Sequence, residues 1–178
     1  MCANAKSGSK VILVTGGIAS GKSEVCRHLR SLGRSVYDCD SRCKALYDEV
    51  PGLRGEVEKA IGVPFSQIGI IFEDPARREA LEAVVYPVLK ADLERWIASS
   101  PDPVVFVESA VAASKPLFDD LWDEIWLVRA PLADRLARNP KAASRIGSQV
   151  ELDPARAAVV IDNDGTLRQL YETVNELI

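Results

Sequence analysis

Five short runs of mainly apolar residues recur along the chain and predict buried β-strands. They occupy residues 11–14, 35–37, 104–107, 125–128 and 158–161. Apolar runs of this length, close to glycine or proline, are typical of strands that are buried on both faces of a parallel sheet. The segments between the runs show helical spacing of apolar residues, so strands and helices alternate. This alternation predicts an α/β fold with a mostly parallel five-stranded sheet and helices on both faces.

Two of the helices carry further signals in the sequence. Residues 75–99 place apolar side chains three and four positions apart along one broad stripe, and Pro87 predicts a kink or an interruption within this helix. Thr166 and Gln169 have the spacing of a capping box, which predicts that the last helix begins there.

Two segments break the alternation of strands and helices. Residues 41–99 have helical patterns without a strand-like run, and residues 137–154 are polar and rich in arginine. A chain of 178 residues leaves little room for two independent cores. We therefore expect residues 1–178 to form one domain, with these two segments as insertions that carry function.

The charge balance excludes some classes of partner. Lys and Arg together number 22 and Asp and Glu number 26, which gives a net charge of −4. A basic surface for nucleic acid is therefore not expected. The first apolar run has only four residues, far fewer than the roughly twenty that span a membrane. We expect a soluble cytoplasmic protein that binds neither nucleic acid nor a membrane.

The strongest motif directly follows the first predicted strand and precedes a predicted helix. Residues 16–23 match the P-loop pattern G-x-x-x-x-G-K-[ST], in which backbone N–H groups cradle phosphate. Lys22 can reach the β- and γ-phosphates, and the Ser23 hydroxyl can ligate Mg²⁺. The motif predicts a P-loop NTPase fold with ATP and Mg²⁺ as cofactors. The predicted nucleotide-binding residues of this loop are Gly16, Gly17, Ile18, Ala19, Ser20, Gly21, Lys22, Ser23 and Glu24.

A small kinase is the P-loop protein that best fits the rest of the chain. It needs a carboxylate after the second strand and an arginine-bearing lid. Asp38 and Asp40 follow that strand, and either would accept the acceptor's proton or organise Mg²⁺, unless Asp40 only caps the next helix. Arg135, Arg138 and Arg145 would supply cations from the lid, with a solvated helix face as the alternative.

Glu108 stands at the end of the third predicted strand, where side chains face the ligand in this class of sheet. We assign it to the acceptor site. Water-mediated support of Mg²⁺ and capping of a following helix are both left open as its role.

Taken in order, the motifs resemble the dephospho-CoA kinases, enzymes that phosphorylate the ribose 3′-hydroxyl of dephospho-CoA to give coenzyme A. The resemblance covers about residues 10–177. The matching pieces are residues 15–23, 36–40, 71–75, 145–149 and 160–165, with Arg78, Leu81, Glu82 and Pro87 in between.

The resemblance implies a role for each matching segment. Residues 10–40 would form the nucleotide-binding core, about 41–99 the acceptor-binding region and about 137–154 the lid. The resemblance implies Asp40 as base, residues 162–165 near the adenine, Arg78 in the acceptor-binding region, and Arg138 and Arg145 in the lid. Our own assignment takes Lys22, Arg138 and Arg145 as catalytic cations. It places Asn163 and Gly165 at the nucleotide, and Arg78, Tyr86 and Glu108 at the acceptor.

The chain departs from the family pattern and is therefore expected to be a divergent member. It has Tyr86 before Pro87 where the family often has histidine, and Ser114 where an acidic residue is common. Its lid segment is a few residues short. The alternatives are another small P-loop kinase, for a nucleoside monophosphate or a sugar acid, and a nucleotide-binding module without phosphotransfer. A monomer or a weak homo-oligomer is expected.

Overall fold

The computed structural model describes residues 8–140, 143–148 and 152–178. The chain divides into two compact units. The first unit contains the described residues up to Asp38 together with Ile97–Ile178, and the second unit is Cys39–Trp96. In the described part of the chain, no helix has both the length and the apolar character needed to cross a membrane.

The first unit is built on a five-stranded sheet in the order β2-β3-β1-β4-β5, and every neighbouring pair is parallel. This confirms the predicted parallel α/β architecture, and each of the five apolar runs contributes a strand. The strands are β1 (Lys10–Thr15), β2 (Val36–Asp38), β3 (Val104–Glu108), β4 (Glu124–Arg129) and β5 (Val159–Asp162).

Burial on both faces explains why the strands read as continuous apolar runs. The helices α1 (Lys22–Ser31) and α7 (Leu167–Leu177) pack together and share a core with one face of the sheet. Successive side chains of a strand point to opposite faces, and residues of both faces are buried here. Of the buried residues, Ile12, Val14, Phe106, Trp126, Val128 and Ile161 belong to the core with the helices, and Val11, Leu13, Val105, Val107 and Leu127 alternate with them.

The capping box predicted for the last helix is present. The Thr166 backbone N–H donates to Gln169 Oε1 at 2.8 Å, and the Gln169 N–H donates to Thr166 Oγ1 at 3.3 Å. Two shorter helices precede β5, namely α5 (Leu132–Arg138) and α6 (Ala143–Ser148).

The second unit is helical, as predicted for this segment. It contains α2 (Cys39–Glu49), α3 (Leu53–Ile61), a 3₁₀ segment (Phe65–Phe72) and most of α4 (Pro75–Ser99). Its core holds Val57, Ile61, Leu81 and Val85.

The helix α4 continues through Pro87, so the predicted interruption at this residue is wrong. Proline removes one backbone hydrogen bond from the helix interior. Val85 and Leu89, two residues before and two residues after Pro87, have buried side chains. Packing of this apolar stripe holds the helix together, because tertiary contacts contribute most of the stability of helices in proteins.

Candidate active site

The P-loop connects the end of β1 to the first turn of α1. The Ser20 N–H donates to the Gly17 carbonyl at 3.1 Å, and the Glu24 N–H donates to the Gly21 carbonyl at 2.9 Å. Gly21 has a φ of 104°, a left-handed conformation that disfavours side chains, and a Cβ there would overlap the amide of Asn163. Glycine is therefore required at the point where the loop turns into the helix.

Three consecutive carbonyl groups of the P-loop accept hydrogen bonds from side chains of distant segments. In a trans peptide the C=O and the following N–H point in opposite directions. Each held carbonyl therefore also fixes the orientation of the N–H group that follows it. The Ser20 N–H is used within the loop, in its bond to the Gly17 carbonyl. The three bonds run from Arg135 Nε to Ile18 (2.9 Å), from Arg138 Nη1 to Ala19 (3.4 Å) and from Asn163 Nδ2 to Ser20 (2.8 Å).

A cleft of about 560 Å³ opens beside this loop, within the range of about 300–1,000 Å³ that is typical of ligand sites. It brings together the P-loop and the loop before α7, which are the two segments predicted to hold the nucleotide. Its lining consists of Ala19, Gly21, Lys22, Ser23, Glu24, Arg138, Asn139, Asn163, Gly165 and Leu167.

Glu24 makes contacts with two side chains of the same unit. Its carboxylate accepts hydrogen bonds from Arg27 on α1 and from the Tyr171 hydroxyl on α7. The bond to Glu24 raises the pKa of the Tyr171 phenol. Glu24 thus joins α1 to α7 at the rim of the cleft.

Ser23 and Glu108 form the oxygen-rich corner of the site. The Ser23 hydroxyl donates to Glu108 Oε1 at 2.5 Å, and Arg30 Nη2 lies 3.8 Å from the other carboxylate oxygen. Glu108 is only 7% exposed. A hydroxyl and a carboxylate side by side are the hard oxygen donors that Mg²⁺ takes, so these residues fit that ion.

Glu108 does not cap the following helical turn. The N-cap position of that turn is Val111, and the Ala112 N–H at its start donates to Ser109 Oγ at 3.1 Å. Behind the carboxylate, burial together with the charge of Glu108 raises the pKa of the Cys26 thiol. Cys26 therefore remains a neutral thiol beside the acidic corner, a neighbour that the sequence pattern did not indicate.

The two candidate carboxylates after the second strand fall in different units. Asp38 is the last residue of β2 and pairs in register with Glu108 of β3. Asp40 is the second residue of α2, which begins at Cys39. Because Asp40 lies within the first turn of α2, it is not the residue that caps this helix.

The predicted acceptor residues lie in the second unit. Arg78, Glu82 and Tyr86 follow one another at four-residue intervals along α4, a spacing that places them on the same side of a helix. Arg78 is exposed. Burial, followed by the charge and hydrogen bond of Glu82 and by the charge of Asp40, raises the pKa of the Tyr86 phenol. Asp40, Glu82 and Tyr86 are therefore electrostatic neighbours.

The three arginines that were predicted for the lid have different surroundings. Arg145 lies on α6 and is exposed. Arg138 Nη2 donates to the Asn163 carbonyl at 3.1 Å, in addition to its bond to Ala19. Arg135 is 6% exposed, so the alternative of a solvated helix face does not apply to it. Within the predicted lid, residues 141, 142 and 149–151 lie outside the described residues.

Comparison with known proteins agrees with this geometry. No family model matches the chain. Among solved structures, TT1252 from Thermus thermophilus superposes with a TM-score of 0.75 at 28% identity, covering 95% of this chain and 96% of that one. Dephospho-CoA kinase from Campylobacter jejuni shares the fold, with a TM-score of 0.62 at 21% identity, over 96% of both chains. The fold and the loop together define a protein with the P-loop kinase fold.

The curated relatives narrow this class to one family. Dephospho-CoA kinase from Porphyromonas gingivalis is 35% identical over 147 residues, which cover 78% of this chain and 71% of that protein. Dephospho-CoA kinase from Geobacter sulfurreducens is 31% identical over 191 aligned residues, 94% of this chain and 96% of that protein. The chain belongs to the dephospho-CoA kinase family, as its sequence motifs predicted.

Proposed function

We propose that this protein transfers the γ-phosphoryl group of ATP to the ribose 3′-hydroxyl of dephospho-CoA, which gives coenzyme A and ADP. The observation that carries the proposal is a P-loop that lines a cleft and whose carbonyls are held by side chains of distant segments, in a chain that belongs to the dephospho-CoA kinase family. Phosphoryl transfer depends chiefly on positioning and on electrostatic stabilisation. A P-loop that is already held in place for phosphate supplies the positioning.

The nucleotide would bind along residues 16–24, with its base in the cleft beside Asn163 and Gly165. Lys22 lines this cleft and would place its ammonium group against the β- and γ-phosphates. Arg138 and Arg145 would add positive charge for the transferred group. Ser23 would hold Mg²⁺, with Glu108 beside it, and the ion would neutralise charge on the phosphates.

Asp40 is our proposed base. Its carboxylate would accept the proton of the 3′-hydroxyl while the hydroxyl oxygen forms a bond to the γ-phosphorus. The bond between that phosphorus and the bridging oxygen breaks, so the electron pair leaves with ADP. Asp38 is the alternative base, because it ends the strand immediately before α2.

The acceptor would be held by groups outside the P-loop. Arg78 is an exposed cation suited to a phosphate of the acceptor, and Tyr86 and Glu108 would contact its ribose end. We also propose that the chain acts as one kinase domain in the cytoplasm, as a monomer or a weak homo-oligomer, without nucleic acid or membrane as a partner.

An acceptor panel tests the proposal. ADP release is measured with dephospho-CoA, adenosine and AMP, with ATP alone as the blank. Remote contacts to the acceptor can orient the reacting hydroxyl, so we expect kcat/KM for dephospho-CoA to exceed the other two by at least about tenfold.

The other outcomes of the panel separate the alternatives. Equal rates on all three acceptors would contradict the acceptor assignment and favour a different small kinase. Release at the level of the blank would instead favour a nucleotide-binding module without phosphotransfer. Mass analysis of the product identifies the position of the new phosphate.

A further inference from the structure

Arg135 is a cation of α5 whose head group is buried beneath the P-loop. The residue is only 6% exposed, and its Nε donates to the Ile18 carbonyl at 2.9 Å. Burial of a guanidinium group costs free energy unless hydrogen bonds compensate for the lost water. A buried arginine at this place therefore points to a role in holding the loop, and not only to a cation offered to a ligand.

Gly17 provides the space that this guanidinium occupies. The P-loop pattern allows any residue at this position. The φ of Gly17 is not among the positive values in the chain, so its backbone conformation does not require glycine. A Cβ at Gly17 would, however, lie 2.6 Å from Cζ of Arg135. An alanine at position 17 would therefore have to displace the head group of Arg135.

Ala19 shows why the loop needs such support. Its φ of 60° lies in the left-handed region, which is unfavourable for a residue with a side chain. Strained conformations of this kind persist at functional sites only where surrounding contacts hold them. The bond from Arg135 fixes the peptide between Ile18 and Ala19 through its carbonyl, and the Ala19 N–H points in the opposite direction to that carbonyl.

We propose that Arg135 and Gly17 form a positioning pair that holds the P-loop in the conformation that binds the β-phosphate. The proposal rests on the proposed function only in taking adenine nucleotides as the ligand. Arg135 acts through the loop backbone, and Gly17 acts by leaving room for the guanidinium.

The test measures ADP affinity by calorimetry, without any acceptor present. The variants are Gly17→Ala, Arg135→Met, their double variant and Arg135→Lys, and thermal unfolding checks that each is folded. A hydrogen bond from a charged donor is lost in either single variant, so we expect ADP to bind about tenfold or more weakly in both. Because both substitutions remove the same contact, the double variant should be no weaker than Arg135→Met alone.

Arg135→Lys and one additional control variant separate positioning from other roles. Arg135→Lys keeps a charged donor and should recover part of the affinity, which a space-filling role would not predict. Arg168→Met removes an exposed cation of α7 and should leave ADP affinity unchanged.

The proposal is overturned by any of three results. The first is a Gly17→Ala variant that binds ADP like the wild type. The second is additivity in the double variant, and the third is an Arg135→Met variant that binds ADP with unchanged affinity. If Arg135→Met does not fold, Gly17→Ala and Arg135→Lys still decide the question. A wild type that binds ADP but fails on dephospho-CoA would contradict the proposed function alone.

Discussion

The P-loop and the helix α4 present their polar groups in different ways. In the P-loop the groups proposed to bind phosphate are mainly backbone N–H groups, and the side chains of Arg135, Arg138 and Asn163 hold the loop carbonyls. Along α4 the backbone is satisfied within the helix, and recognition falls to side chains such as Arg78 and Tyr86. Backbone recognition suits phosphate, a group common to all nucleotides, whereas side chains can be exchanged to suit one acceptor.

This contrast predicts that substitutions divide by the substrate that they affect. Changes in the P-loop should weaken ATP use with every acceptor. Changes on α4 should weaken the use of dephospho-CoA and leave nucleotide binding unaltered. The proposed base lies close to the point in the sequence where the first unit ends and the second begins. Its substitution should change the affinity neither for ATP nor for dephospho-CoA.

The largest effect is expected for Asp40→Asn. Loss of a general base lowers kcat by about 10²–10⁴-fold, because the amide cannot accept the hydroxyl proton. ATP affinity should persist, as measured by calorimetry. Asp38→Asn is the matched control, two residues away, and should lower kcat less. If Asp38→Asn has the larger effect, the base is Asp38 and the proposed assignment is wrong.

Lys22→Ala should lower kcat/KM by at least about a hundredfold, because it removes a cation that stabilises the charge on the transferred group. The loss should be the same factor for dephospho-CoA and for any slower acceptor, as measured by ADP release. Lys59→Ala, an exposed lysine of α3, is the control and should leave turnover unchanged. A near-normal rate in Lys22→Ala would contradict the role of the P-loop.

Arg78→Ala should raise KM for dephospho-CoA about ten- to a hundredfold, since a charge-assisted contact contributes roughly 1.5–3 kcal/mol. KM for ATP should not change. Arg77→Ala is the matched control on the same helix, because the Arg77 guanidinium pairs with Asp74 at 3.1 Å. Two results would contradict the proposed division between nucleotide binding by the P-loop and acceptor binding by α4. One is a rise in KM for ATP in Arg78→Ala, and the other is an equal rise in KM for dephospho-CoA in Arg77→Ala.

Much of the fold could be predicted because its signals are local. Strands buried on both faces carry uninterrupted apolar runs, and the P-loop has a fixed spacing between a strand and a helix. The capping box of α7 involves residues only three positions apart. Such patterns are visible in any short window of the sequence, so the parallel sheet, the helical segment and the phosphate loop were all expected. The outcome at Pro87 differed because buried neighbours outweighed a local helix breaker.

The arrangement of the site was decided by contacts between residues far apart in the sequence. The bond from Arg135 to Ile18 joins positions 117 residues apart, and the bond from Asn163 to Ser20 joins positions 143 apart. Ser23 and Glu108 are 85 residues apart. No local pattern records which strand lies beside β1 or which side chain fills the space next to Gly17. Only the packed sheet, in its order β2-β3-β1-β4-β5, brings these residues together around the loop.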